Sequence, residues 1–173
     1  MPPEMRTPTP WKKLLREALG GAGRLVVMGV GNVDRGDDAA GVRAAELLLK
    51  RGGRESARLK VILAHDVPEN FTGRVRAFKA DAVLVLDAAG GGFPPGTIHL
   101  VDPSRIADDD VSTHRTPLST LAEFLEKTAG CRVVILGIEP GSLQPGARMT
   151  PRVRAAAAEV AAALAAFAGR RLP

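Results

Sequence analysis

The chain has 173 residues and a formal net charge of +5, with 45% hydrophobic residues, 3% aromatics and a single cysteine, Cys131. That length suits one domain, or one domain with an arm, and its core must be filled by Leu, Val and Ala. One cysteine excludes an internal disulfide and a cysteine-cluster zinc site and fits a reducing cytoplasm.

Arginine is spread along the chain without aromatic platforms, which reads as a solvated basic surface and not as a nucleic-acid interface. No uncharged run is long enough to insert across a bilayer. Lys12, Lys13, Arg16 and Glu17 interrupt the first apolar residues and speak against a signal peptide.

Residues 1–10 are proline-rich and read as loose. Thr9 can cap a helix with Pro10 at its first position. Trp11, Leu14, Leu15, Ala18 and Leu19 then form one apolar helical stripe opposite the charged residues. Gly20-Gly21-Ala22-Gly23 ends it. The stripe calls for docking on the chain's own core or on a sister subunit. The expected organisation is an arm with a short amphipathic helix over 1–23 and an α/β domain over 24–173, with the helix available as a homo-oligomer contact.

Leu25-Val26-Val27-Met28 reads as a buried parallel strand. Gly29 and Gly31 allow a tight turn into a polar loop, Asn32 to Gly36. Asp37 is placed to cap a helix running from Asp38 to Arg51, with Ala40, Ala44, Leu47 and Leu48 inward. A dinucleotide fingerprint would need glycine where Asp34 stands, and a phosphate loop would need Lys-Ser/Thr where Asp37-Asp38 stand. Carboxylates repel phosphate, so this turn suits a cation. Plain helix capping by the two aspartates is the alternative.

Leu59 to Ala64 is a second strand, ending in His65-Asp66. Val67-Pro68-Glu69-Asn70 turns into a short helix reaching Phe78. Ala82 to Leu86 is wholly apolar, hence central, and ends in Asp87. A glycine- and proline-rich loop, Ala88 to Gly96, leads to a short strand, Thr97 to Val101, expected antiparallel at an edge. Asp102 to Thr116 is irregular, with Asp108-Asp109-Asp110 before His114.

Leu118 to Lys127 is a helix with Leu118, Leu121, Ala122 and Leu125 on one face. Val133 to Leu136 is the last strand, closed by Gly137 to Gly141 and followed by an exposed loop to Met149. Thr150-Pro151 starts an alanine-rich helix that continues through Phe167. The alternation predicts a single three-layer α/β domain. Its twisted, mostly parallel sheet has about five strands, with helices on both faces, and the N-terminal helical arm is added to it.

Asp38, Asp87 and His114 share one address. Strands one and three are neighbours in a 2-1-3 order, and open α/β sheets bind ligands at that switch point. Two carboxylates and an imidazole suit Zn, Ni or a similar divalent ion and leave coordination positions open. His65 reads as a supporting loop residue, His99 as structural and Cys131 as packing. Asp34 is an exposed loop carboxylate. Glu139 either faces the cleft or fixes a loop. Ser112, Ser119 and Ser142 lack a nucleophile elbow, which argues against a serine hydrolase.

These residues resemble the nickel–iron (NiFe) hydrogenase maturation endopeptidases. The matching pieces, in order, are Gly29-Val30-Gly31-Asn32, Gly36-Asp37-Asp38-Ala39-Ala40-Gly41 and Val67-Pro68-Glu69-Asn70. Val85-Leu86-Asp87-Ala88, Pro95-Gly96-Thr97-Ile98, Ser112-Thr113-His114 with Pro117-Leu118, and Gly137-Ile138-Glu139-Pro140 complete the set.

The resemblance implies a cytoplasmic protease that trims the C-terminal extension of a hydrogenase large-subunit precursor. Nickel already inserted in that precursor would be the recognition signal, with none needed at rest. By matching positions Asp38, Asp87 and His114 are the expected metal contacts, and Asp38 the residue nearest catalysis. The mechanism stays open between nickel as a Lewis acid and an Asp-activated water. A non-catalytic metal-binding maturation chaperone and a spore-type protease of related fold are the rival readings.

Overall fold

The computed structural model describes residues 10–52, 55–102 and 117–171. In chain order the elements are α1 (Trp11–Ala18), β1 (Leu25–Val30), α2 (Ala40–Lys50), β2 (Leu59–His65), α3 (Thr72–Phe78) and β3 (Ala82–Ala88). Then come β4 (Ile98–Val101), α4 (Leu118–Ala129), β5 (Arg132–Ile138) and α5 (Pro151–Arg171). Short 3-10 turns, Gly36–Ala39 and Pro68–Phe71, precede α2 and α3.

The sheet order is β2-β1-β3-β5-β4. All pairings are parallel except β4 on β5, so the edge strand is the antiparallel one. β3 lies in the middle and every one of its residues is buried, as its unbroken apolar run requires. Period-2 alternation sorts the strand side chains into two cores. Leu25 and Val27 join Leu84 and Leu86 under α1, α2 and α5, whereas Val26, Met28 and Val30 join Val83 and Val85 under α3 and α4.

α2 and α5 pack against one another through small residues, Ala44 and Ala45 on one helix and Ala156, Ala157 and Ala161 on the other, all buried in one cluster. Gly41 is required for the seating of α2. A Cβ there would meet the Leu86 carbonyl oxygen at 2.0 Å and the Val30 carbonyl oxygen at 2.5 Å. The start of α2 therefore rests directly on the ends of β1 and β3.

The apolar stripe of α1 is turned into the same cluster, with Trp11, Leu15 and Leu19 buried beside the edge strand β4. Lys12 adds an exposed ion pair to Glu159 of α5 at 2.9 Å. Pro10 is the residue before the helix, its carbonyl accepting from Lys13 and Leu14, while the expected cap Thr9 lies outside the described residues. No described helix is long and apolar enough to cross a membrane.

Candidate active site

β1 sits between β2 and β3, and the chain reverses its direction of travel across the sheet after β2. The carboxyl ends of β1 and β3 thus flank the switch point. Gly31 leaves β1 at φ +140°, and a Cβ at this position would fall 1.8 Å from the Asp38 carbonyl oxygen. Only glycine lets the 3-10 turn fold back so closely over the strand. Its N–H donates to the His65 carbonyl at 2.8 Å, tying the turn to the end of β2. Asp38 is buried there at 1% exposure, and its Oδ2 accepts the Asn32 N–H at 3.0 Å.

Asp87, also fully buried, is the penultimate residue of β3, one position beyond the last β1–β3 pair, Gly29 with Leu86. Asp38, in the turn folded back over the end of β1, and Asp87, near the end of β3, therefore both lie at the sheet's carboxyl edge, as their sequence positions predict. The third expected member, His114, lies outside the described residues, as do Ser112 and Asp108-Asp109-Asp110. Among the described residues no cluster of three metal-ligating side chains forms.

Asp37 departs from the expectation. It does not cap α2, which starts only at Ala40, and Asp38 belongs to the 3-10 turn instead of an α-helical first turn. The Asp37 carboxylate is fully buried and binds the loop after β5. Its Oδ2 accepts from the Gly141 N–H at 2.8 Å and the Ser142 N–H at 2.9 Å, and its Oδ1 accepts from the Thr150 N–H at 2.6 Å. The Thr150 hydroxyl adds a bond to the same carboxylate. A carboxylate offers about four lone-pair sites, so one side chain satisfies all four donors. Thr150, which the sequence suggests as the cap of α5, directs its hydroxyl to Asp37.

Two backbone bonds complete the seam. Asp37 N–H donates to the Ser142 carbonyl at 2.9 Å, and Gly146 N–H donates to the Asp34 carbonyl at 2.7 Å. The loop from Gly141 to Met149, expected as simply exposed, is pinned at both ends against the aspartate turn. No local sequence signal marks this seam, because its two sides are joined only in the fold.

Glu139 fixes a loop. Its Oε2 accepts the Gly91 N–H at 2.6 Å and lies 3.5 Å from His99 Nε2. His99, buried in β4, also lies 3.0 Å from the Ala89 carbonyl and stacks obliquely on Phe93. The structural reading of His99 holds. His65 is exposed, at φ +52°, and contributes its carbonyl rather than its ring. Cys131 is buried beneath α4 at the start of β5, away from this edge, and burial pushes its thiol up. Ser119 lies in α4, and the Ser142 hydroxyl faces the Gln144 N–H at 3.5 Å. Two surface hollows lie elsewhere, one at the amino edge beside Leu25 and Leu59 and one between α1 and α5, and neither holds a candidate carboxylate.

An open, mostly parallel α/β sheet with two buried carboxylates at its switch point defines a class of single-domain α/β proteins that gather acid side chains at the carboxyl edge of the sheet. Within that class the assignment is specific. The family model described as hydrogenase maturation protease matches residues 42–166, which take in Asp87 and His114 and begin just after Asp38. The Hydrogenase 3 maturation protease of Escherichia coli is 35% identical over 116 residues, covering 66% of this chain and 72% of its own.

The crystal structure of the hydrogenase maturation protease HycI from Thermococcus kodakarensis superposes with a TM-score of 0.81 at 30% identity, over 89% of this chain and 97% of that one. The solution structure of the endopeptidase HycI from Escherichia coli gives 0.71 at 31% identity, over 83% and 90%. The chain belongs to the hydrogenase maturation protease family. It is a hydrolase, an endopeptidase by family.

Proposed function

We propose that this chain removes the C-terminal extension of a nickel-loaded large-subunit precursor of a nickel–iron hydrogenase, acting in the cytoplasm. One observation carries the reading: Asp38, in the turn packed over the end of β1, and Asp87, near the end of the adjoining β3, are both buried at the sheet's carboxyl edge in a chain of this family. Asp38, Asp87 and His114 are the residues proposed to meet the nickel, a divalent ion that arrives as part of the substrate. Mixed carboxylate and imidazole donors suit such an ion.

When bound, the ion supplies Lewis-acid polarisation of an oxygen it contacts. Asp38 is the proposed catalytic residue. Its carboxylate accepts a proton from the attacking water, the water oxygen bonds to the scissile carbonyl carbon, and the carbon–nitrogen bond then breaks. The proton held on Asp38 passes to the leaving amine. Asp37 holds the loop after β5 beside this turn, and Glu139 holds the glycine loop after β3.

The test mixes the full-length protein with nickel-loaded and nickel-free precursor and reads masses. Release of the C-terminal peptide from the loaded form alone is expected. Equal cleavage of both forms would remove nickel recognition from the reading. Tight binding of loaded precursor without peptide release would replace it with a chaperone role.

A further inference from the structure

The turn that carries Asp37 and Asp38 begins with a cation that nothing described so far employs. Arg35 N–H donates to the Asn32 carbonyl at 3.2 Å, and its carbonyl accepts from the Asp38 N–H at 3.0 Å, so its backbone is built into the site loop. Its side chain is half-buried, and its Nε is a buried donor with no acceptor in reach. Among the described residues its guanidinium makes no hydrogen bond or ion pair, not even with the aspartates that follow it.

Three other arginines near the ends of elements do find acceptors. Arg43 pairs with Glu46, Arg132 donates to the Gly20 carbonyl, and Arg154 donates to the Met149 carbonyl. A buried guanidinium donor that lacks an acceptor is unfavourable until one arrives. The support beneath it is rigid, since the next residues are locked to the loop after β5 through Asp37.

We propose that Arg35 is a substrate-anchoring residue of this site, its guanidinium taking a carboxylate of the precursor segment that enters the cleft. The inference rests on the endopeptidase reading above and adds the chemistry of one of its contacts. A planar fork of N–H donors matches the two oxygens of a carboxylate. The charges also divide sensibly. Asp38 and Asp87 suit a cation, and Arg35, three residues from Asp38, suits an anion on the same chain of substrate. Arg35 acts in ground-state binding: it sets affinity and selects acidic segments, while Asp38 remains the residue of the chemical step.

The experiment measures kcat and KM for nickel-loaded precursor with wild type, Arg35→Lys and Arg35→Ala. Arg35→Ala is expected to raise KM about 10- to 100-fold, the range of a lost charge-assisted contact, with kcat at saturation little changed. Arg35→Lys recovers part of this, because an ammonium keeps the charge without the fork. Added millimolar guanidinium ion restores affinity to Arg35→Ala, which a purely structural role would not allow.

A second arm neutralises the acidic residues of the precursor's C-terminal segment to their amides. Wild type is expected to lose affinity on that substrate, and Arg35→Ala to be indifferent to the change. An unchanged KM in Arg35→Ala, a loss confined to kcat, or additive losses in the two arms would overturn the anchoring role while leaving the protease reading intact. Failure of the wild type to cut loaded precursor would overturn both.

Discussion

Thr150 donates its backbone N–H to Asp37 Oδ1 at 2.6 Å across 113 residues of chain, and its hydroxyl lies 2.9 Å from Asp37 Oδ2. With Gly141 and Ser142 this makes Asp37 the strongest single tie between the site turn and the loop after β5. Hydrogen bonds to a charged acceptor contribute about 1.5–3 kcal/mol, and stranded donors cost about 1–3 kcal/mol each. Asp37→Ala should therefore destabilise the fold by roughly 3 kcal/mol or more in urea unfolding. Asp37→Asn, which keeps one acceptor, should cost less. Precursor cleavage should fall in both, since the turn that carries Asp38 loses its brace. Stability equal to wild type in Asp37→Ala would show that the seam contributes nothing.

Asp38 is held differently from Asp37: its Oδ2 accepts the Asn32 N–H at 3.0 Å. Asp38→Asn keeps an oxygen for that bond, so its stability loss should stay near 1 kcal/mol. It should nevertheless abolish release of the C-terminal peptide from nickel-loaded precursor. Asp87→Asn and His114→Ala should impair release as well. Wild-type rates in Asp38→Asn would remove it from the reaction.

Gly31 admits no side chain, with the Asp38 carbonyl 1.8 Å from where a Cβ would stand. Gly31→Ala should push the 3-10 turn off the strand, costing about 3 kcal/mol or more and abolishing cleavage. Circular dichroism melting read beside peptide release checks both. Alanine tolerated at full activity would contradict the close approach described.

The arm is tested through its buried face. Leu15 is 4% exposed and Trp11 9%, so Leu15→Ala should cost about 2–3 kcal/mol. Trp11, the sole tryptophan, should emit at short wavelength and resist iodide or acrylamide. Lys12→Ala removes only an exposed ion pair with Glu159 and should cost under about 1 kcal/mol. A fully quenchable Trp11 would mean that α1 does not dock in solution.

Cys131 gives a pH signature. Burial raises its thiol pKa, so the folded state holds the thiol proton more tightly than the unfolded chain does. The associated stability is complete below the unfolded value of about 8.5 and is lost as pH rises through the folded one. Wild type should thus lose more stability above about pH 9 than Cys131→Ala. Thiol reagents should react slowly until the protein is unfolded, and Cys131→Ala should cleave precursor normally.

Much of the architecture is legible in residue periodicity. The apolar runs at Leu25 and Ala82 mark the buried parallel strands, and the stripe from Trp11 to Leu19 marks a docked helix. Asp38 and Asp87 are legible as well, because a carboxylate just past an apolar strand lies at the carboxyl edge of an α/β sheet. Asp37 is not. Its sequence neighbours say helix cap, and local propensity cannot reveal that its real partners, Gly141, Ser142 and Thr150, belong to a distant loop. Glu139 is ambiguous for the same reason: the glycine loop it holds is brought to it only by the β3–β5 and β4–β5 pairings.

The seam between Asp37 and Thr150 also sets an order of events during synthesis. Asp37 is made early, yet every oxygen of its carboxylate must wait for donors more than a hundred residues downstream. The first half of the chain can collapse around β1 and β2 as it emerges from the ribosome, but the turn that presents Asp38 stays loose until the segment preceding α5 has arrived. A chain truncated before Thr150 would carry Asp37 and Asp38 without the clasp that holds their turn in place.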